Sequence, residues 1–128
     1  MDFQQIKAQL TEKTPQSFLT AVLRNEQDED SLFVFSEQIE AQFEQNLAFL
    51  ASAETISPAD VDVWKQQDFR VVAQTIDGDY IAGTLDQTFI IPTSLYKSDI
   101  EIHPLFLSDF FVDYANHSLE SALLPKNN

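Results

Sequence analysis

Apolar positions recur along the chain in two periods, three-to-four and two, and the change from one to the other divides it. Phe3, Ile6 and Leu10 follow Asp2 at helical spacing, which predicts a short amphipathic helix capped by that aspartate and ending near Lys13. Thr14-Pro15 is a second start signal, because threonine caps well and proline at the first helical position loses no hydrogen bond. Phe18, Leu19, Val22 and Leu23 form the buried stripe of that helix. A wholly polar run follows at 25–30, with four acids in six residues, and predicts a solvated loop. Residues 31–35 suit either a short strand or a lead-in turn.

Phe35, Ile39, Phe43, Leu47 and Leu50 then predict a longer helix over 36–53. Its outer side carries Glu37, Glu40 and Glu44, without lysines at helical spacing to offset them. Ser57-Pro58-Ala59-Asp60 has the form of a capping box, opening a short helix through Gln67 with Val61 and Trp64 on its inner side.

At 69–92 the period becomes two. Phe69, Val71 and Ala73 alternate with Arg70, Val72 and Gln74, and an Asp-Gly pair at 77–78 suits a hairpin. A second strand at 80–84, a turn at 85–87 and a third strand at 88–91, stopped by Pro92, complete a three-stranded antiparallel meander. Residues 93–104 read as irregular. Ser108 or Asp109 caps a helix through Tyr114 with Phe110, Phe111 and Tyr114 buried, and a further helical turn is expected over 118–124 before a frayed tail. The prediction is one α+β domain: a small antiparallel β-meander sheet packed against amphipathic helices.

Composition supports a packed core. Hydrophobic residues make up 44% of 128, including eleven Phe, which is too many for a disordered chain. Charge changes the picture more: seven Lys plus Arg against twenty-one Asp plus Glu give a net −14. Such a field repels phosphate backbones, which argues against nucleic acid, and it either keeps the chain soluble or steers it to a basic protein partner. Without cysteine there is no disulfide or thiolate chemistry. No apolar run approaches membrane-spanning length and the N-terminus has no signal-peptide pattern, so a cytoplasmic location away from membranes is expected.

Candidate chemistry is sparse. His103 and His117 have no acid at a spacing that would orient them for zinc or general-base work, so both read as surface or structural residues. Asp77 and Asp79 flank Gly78 but lack the glutamate of a calcium loop. No serine lies in a nucleophile elbow, and two glycines do not make a phosphate loop. The expectation is a non-enzymatic protein without cofactor or metal. Its candidate interaction charges are Glu37, Glu40, Glu44, Asp77 and Asp79. A different class of reading is a small-molecule pocket near Tyr96 and His103.

The run from Val71 through the Asp-Gly-Asp hairpin to Ile81, the third strand ending Phe-Ile-Ile-Pro92, and Ser108-Asp-Phe-Phe-Val-Asp-Tyr114 together resemble the C-terminal half of the SUKH superfamily. The resemblance covers residues 69–116. It implies a twisted antiparallel sheet flanked by helices and a protein-binding role, many bacterial members being immunity proteins that neutralise a cognate toxin, often a nuclease. It carries over no catalytic or contact residue. A regulatory adaptor fits the same resemblance.

Overall fold

The computed structural model describes residues 2–25 and 31–124, so most of the acidic 25–30 loop and the 125–128 tail lie outside the described residues. Five helices and five strands alternate in groups: α1 (Phe3–Gln9), α2 (Pro15–Leu23), β1 (Phe33–Phe35), α3 (Ile39–Phe49), α4 (Pro58–Lys65), β2 (Arg70–Thr75), β3 (Tyr80–Gly83), β4 (Thr88–Ile91), β5 (Glu101–His103) and α5 (Leu107–Ala115). The strands pair antiparallel in the order β1-β2-β3-β4-β5. The meander is therefore two strands wider than its sequence signal. The undecided segment at 31–35 supplies β1, and the stretch expected to be irregular supplies β5.

Helices cover both faces of this sheet. On one face α1, α2 and α5 pack over Phe33, Phe35, Val72, Ala73, Ile81 and Ile90. Phe111 is the hub there: its ring stacks on Phe3 at 4.9 Å and Phe18 at 5.6 Å and meets Phe33 edge-on at 5.1 Å. On the other face α3 and α4 cover Val71, Tyr80, Ala82, Phe89 and Ile91. Trp64 lies there against Phe69 and Phe89 at 5.2 and 5.1 Å, as core rather than binding anchor.

A bulge in β2 lets one strand serve both cores. Val71 pairs with Ala82 and Ala73 with Ile81, which leaves Val72 as the extra residue. Simple alternation expects Ala73 beside Val71. The bulge instead turns Val72 and Ala73 to the same side, away from Val71, and all three are fully buried.

The local chemistry that starts these elements is largely the predicted kind. Asp2 Oδ1 accepts the Gln4 and Gln5 amides at 3.0 and 3.2 Å. Thr14 Oγ1 accepts Ser17 N–H at 3.1 Å, and Ser57 and Asp60 form the reciprocal capping box at 3.2 and 2.8 Å. Other boundaries differ. α3 starts at Ile39 rather than 36, because the Ser36 hydroxyl accepts the Gln38 amide and holds a turn before it, so Glu37 precedes the helix. It ends at Phe49. α5 starts at Leu107 with no side-chain cap: Ser108 is buried, and Asp109 pairs with Lys7 at 2.6 Å. Residues 118–121 are irregular and 122–124 form a bend rather than a helical turn, so α5 is the one C-terminal helix among the described residues. The 76–78 connection is a three-residue loop. Thr75 C=O accepts Gly78 N–H at 2.9 Å, and Gly78 alone takes a positive φ, at 93°.

Gly83 marks where sheet and α5 touch most closely. A Cβ there would stand 2.5 Å from Leu107 Cγ. Gly83→Ala should therefore destabilise the fold by about 1–3 kcal/mol through overpacking, read as a lower urea midpoint at unchanged slope.

Candidate interaction surface

The five acids singled out in the sequence fall into separate settings. Glu40, in the first turn of α3, reaches β2: its carboxylate accepts Arg70 Nη1 at 2.9 Å and the Val71 amide at 3.4 Å. That amide lies beyond the end of β1, whose last pair is Phe35 with Ala73, so the carboxylate stands where a strand neighbour would be. Glu44 pairs with Lys65 of α4 at 3.0 Å, and the bond raises the Lys65 pKa above its ordinary value. The expectation that these glutamates lack cationic partners is corrected: the partners come from 21 and 30 residues away rather than from helical spacing. Glu37 is exposed and makes no ion pair among the described residues.

Asp77 is exposed at the hairpin tip, but Asp79 is buried, with 9% of its surface exposed. Its Oδ1 accepts the Thr93 amide at 3.2 Å and ties the hairpin to the end of β4. Burial pushes its carboxyl above the usual range, the Thr93 bond opposes this, and Asp77 and Glu101 add to it. Asp79 is thus a structural acid.

The spacing that the sequence reading passed over is Glu101-x-His103. On a strand such residues share a face, and His103 Nε2 lies 3.3 Å from Glu101 Oε1, so this histidine does have an orienting acid. Glu101 also accepts Ser121 Oγ at 2.5 Å and the Ala122 and Leu123 amides at 2.8 and 3.2 Å. Burial alone would raise its pKa, but these bonds outweigh it and hold the carboxyl below the ordinary range. An open cleft of about 600 Å³ borders the group, lined by Glu101, Ile102, His103, Glu120, Ser121 and Ala122. Serine and histidine both aim at one carboxylate, so neither activates the other and the trio latches the C-terminal segment to β5.

Tyr96 and His103 do not share a pocket. Tyr96 bridges Thr55 on the α4 side of the sheet, whereas His103 packs edge-on against Phe110 of α5 at 5.3 Å on the opposite side. Among the described residues, no group of three or more His, Asp or Glu is placed to hold a metal ion, and no helix is long and apolar enough to cross a membrane.

The sheet edges are blunted against strand addition. On β1 the Ser31 hydroxyl bonds both the N–H and the C=O of Phe33 at 3.2 and 2.9 Å. On β5 antiparallel alternation, fixed by the Thr84 to Gln87 bond of the preceding hairpin, turns the Glu101 and His103 backbones inward and Ile102 outward. Its outward neighbours offer no further donor: Pro104 has no N–H, and the Ile100 amide bonds Lys97 C=O at 3.4 Å.

Of the seven Lys and Arg, five are held by this chain's own acids: Lys7 and Lys13 by Asp109, Lys65 by Glu44, Arg70 by Glu40 and Lys97 by Asp60. The exposed acids left over include three at one end of the sheet. Glu37 follows β1, Asp68 precedes β2 and Asp86 sits in the β3–β4 turn, with the last two brought together by the Leu85 amide bonding Gln67 C=O at 3.1 Å.

The raised pKa of Asp79 gives a signed test. A carboxyl whose folded pKa exceeds its unfolded value costs stability when ionised, and that cost vanishes once pH falls below the unfolded value, about 3.9. Asp79→Asn keeps the acceptor for Thr93, so it should stabilise the protein at neutral pH and lose that advantage below about pH 4. Urea titrations at the two pH values check it. No protein-family model, characterised protein or solved structure matches this chain.

Proposed function

We propose that the chain acts by binding a protein partner with a basic surface, without catalysis of its own, and that its most concrete role is to occlude a cationic toxin such as a nuclease. One observation carries this reading: the described lysines and arginines are mostly tied to the chain's own acids, on a molecule of net charge −14. The outward field is then set by carboxylates, and such a field speeds encounter with a basic surface and repels acidic ones. The resemblance to the SUKH superfamily points the same way.

Within the proposal Glu37 remains an interaction charge, joined by Asp68 and Asp86 at the same end of the sheet, and Asp77 extends the field at the other end. Glu40, Glu44 and Asp79 are assigned to the fold, since their carboxylates are already engaged.

Affinity capture at low salt from a lysate of the host, followed by identification of what is retained, tests the proposal. The control is the Glu37→Lys, Asp68→Asn, Asp86→Lys variant. Asparagine is chosen at 68 because φ there is 62°, a conformation that Asn tolerates. The wild type should retain basic proteins and release them with salt, and the variant should associate roughly ten- to hundredfold more slowly. Capture indifferent to both salt and variant would contradict the reading.

A further inference from the structure

One stretch of sheet margin is not blunted in the way that β1 and β5 are. The last pair of β1 is Phe35 with Ala73, and the next backbone bond, Ser36 N–H to Val72 C=O at 3.4 Å, is its last to β2. The first half of β2 therefore has a strand neighbour on the β3 side alone. The alternation set by the Thr84 to Gln87 bond turns the Gly83 and Arg70 backbones towards each other, and hence those of Phe69 and Val71 towards the uncovered side. There the Phe69 C=O accepts no hydrogen bond from a described residue. The Val71 amide has only the Glu40 carboxylate, at a long 3.4 Å, and Arg70 Nε is buried without a partner while Nη1 holds Glu40. Beside these groups opens a cleft of about 420 Å³, lined by Gln16 of α2, Lys65 of α4, Asp68, Phe69 and Arg70, and by no residue of β3.

We infer that this margin is a strand-addition site, at which an extended basic segment of the protein partner pairs with β2 alongside Phe69, Arg70 and Val71, where β1 leaves off. The inference rests on the proposed basic partner and gives it a mode of attachment. The open groups call for extended backbone, because a strand presents N–H and C=O in alternation. One N–H meets the Phe69 C=O, and one C=O takes the Val71 amide, which Glu40 gives up while keeping Arg70. Charge decides the composition of the segment. Glu37 lies at the β1 end of the gap and Asp68, with Asp86, at the other, all exposed and without an ion pair among the described residues. Val71 and Asp68 are about 10 Å apart along an extended chain, so an added segment of roughly three residues sets its flanks against carboxylates. Those flanks are cationic. The two cations that line the cleft do not oppose them, since Lys65 is held by Glu44 and Arg70 by Glu40. An acidic strand is repelled by the same carboxylates.

Titration of the isotope-labelled chain with the blocked peptide Lys-Arg-Val-Thr-Val-Arg-Lys at low salt, followed by NMR, tests it. The Val71 amide resonance should shift as the peptide binds. Two forms of the peptide, N-methylated on alternate sets of its central amides, should differ roughly tenfold or more in affinity, because one set alone faces β2. The Glu37→Lys, Asp68→Asn, Asp86→Lys variant should bind the unmethylated peptide roughly tenfold or more weakly. Binding that leaves the Val71 amide unshifted, or that both methylation patterns weaken equally, would overturn the inference while leaving the basic-partner reading intact. Salt-dependent capture of basic proteins by a chain that does not bind the peptide would do the same. A chain that shows neither binding nor capture would overturn both.

Discussion

A sheet covered by helices on both faces cannot leave its stray backbone amides to water, and this constraint runs through the whole molecule. Unpaired buried N–H groups cost on the order of 1–3 kcal/mol each, so segments that end short or cross an edge need acceptors from within the chain. Several of the acceptors are carboxylates. Glu40 takes the Val71 amide where β1 has ended, Asp79 takes Thr93 where the chain leaves β4, Glu101 takes Ala122 and Leu123, and Asp60 takes Ser57 at the start of α4. The acidity that looks like one property in the composition thus separates into two populations. One holds backbone in place, and the other faces solvent.

The cations follow the same division. Arg70 and Lys97 sit beside two of those structural carboxylates, Glu40 and Asp60, and so brace them. The Arg70 pair is the less exposed of the two, which makes it the better candidate for a net contribution, since half-exposed pairs such as Lys65 with Glu44 are worth little. Because five of the seven cations are engaged by the chain's own acids, the remaining acids act outward together.

Much of this was legible in the sequence, for physical reasons that also mark where legibility ended. The stripes Phe18-Leu19-Val22 and Ile39-Phe43-Leu47, the Ser57–Asp60 capping box and the β2–β4 meander are local signals and appear as read, whereas Leu23 and Leu50, expected at the ends of those stripes, are exposed. Strands of three residues, β1 and β5, are too short to display a period, and the bulge at Val72 has no composition of its own. Among the candidate site residues, Glu37 and Asp77 proved exposed, while Glu40, Glu44 and Asp79 proved engaged. Their partners depend on tertiary contacts that no helical or strand spacing encodes. The Glu101–His103 pair was within reach of a period-two reading, had 101–103 been recognised as a strand.

The division of the acids is tested most directly by comparing the stability of alanine variants in the two groups, measured by urea denaturation at neutral pH. Glu40→Ala, Asp60→Ala and Glu101→Ala should each cost about 1–3 kcal/mol, because each strands backbone amides, whereas Glu37→Ala, Asp77→Ala and Asp86→Ala should stay within about 0.5 kcal/mol of the wild type. Equal effects in the two groups would contradict the claim that carboxylates at the sheet's margins hold the fold while the exposed ones are left for partners.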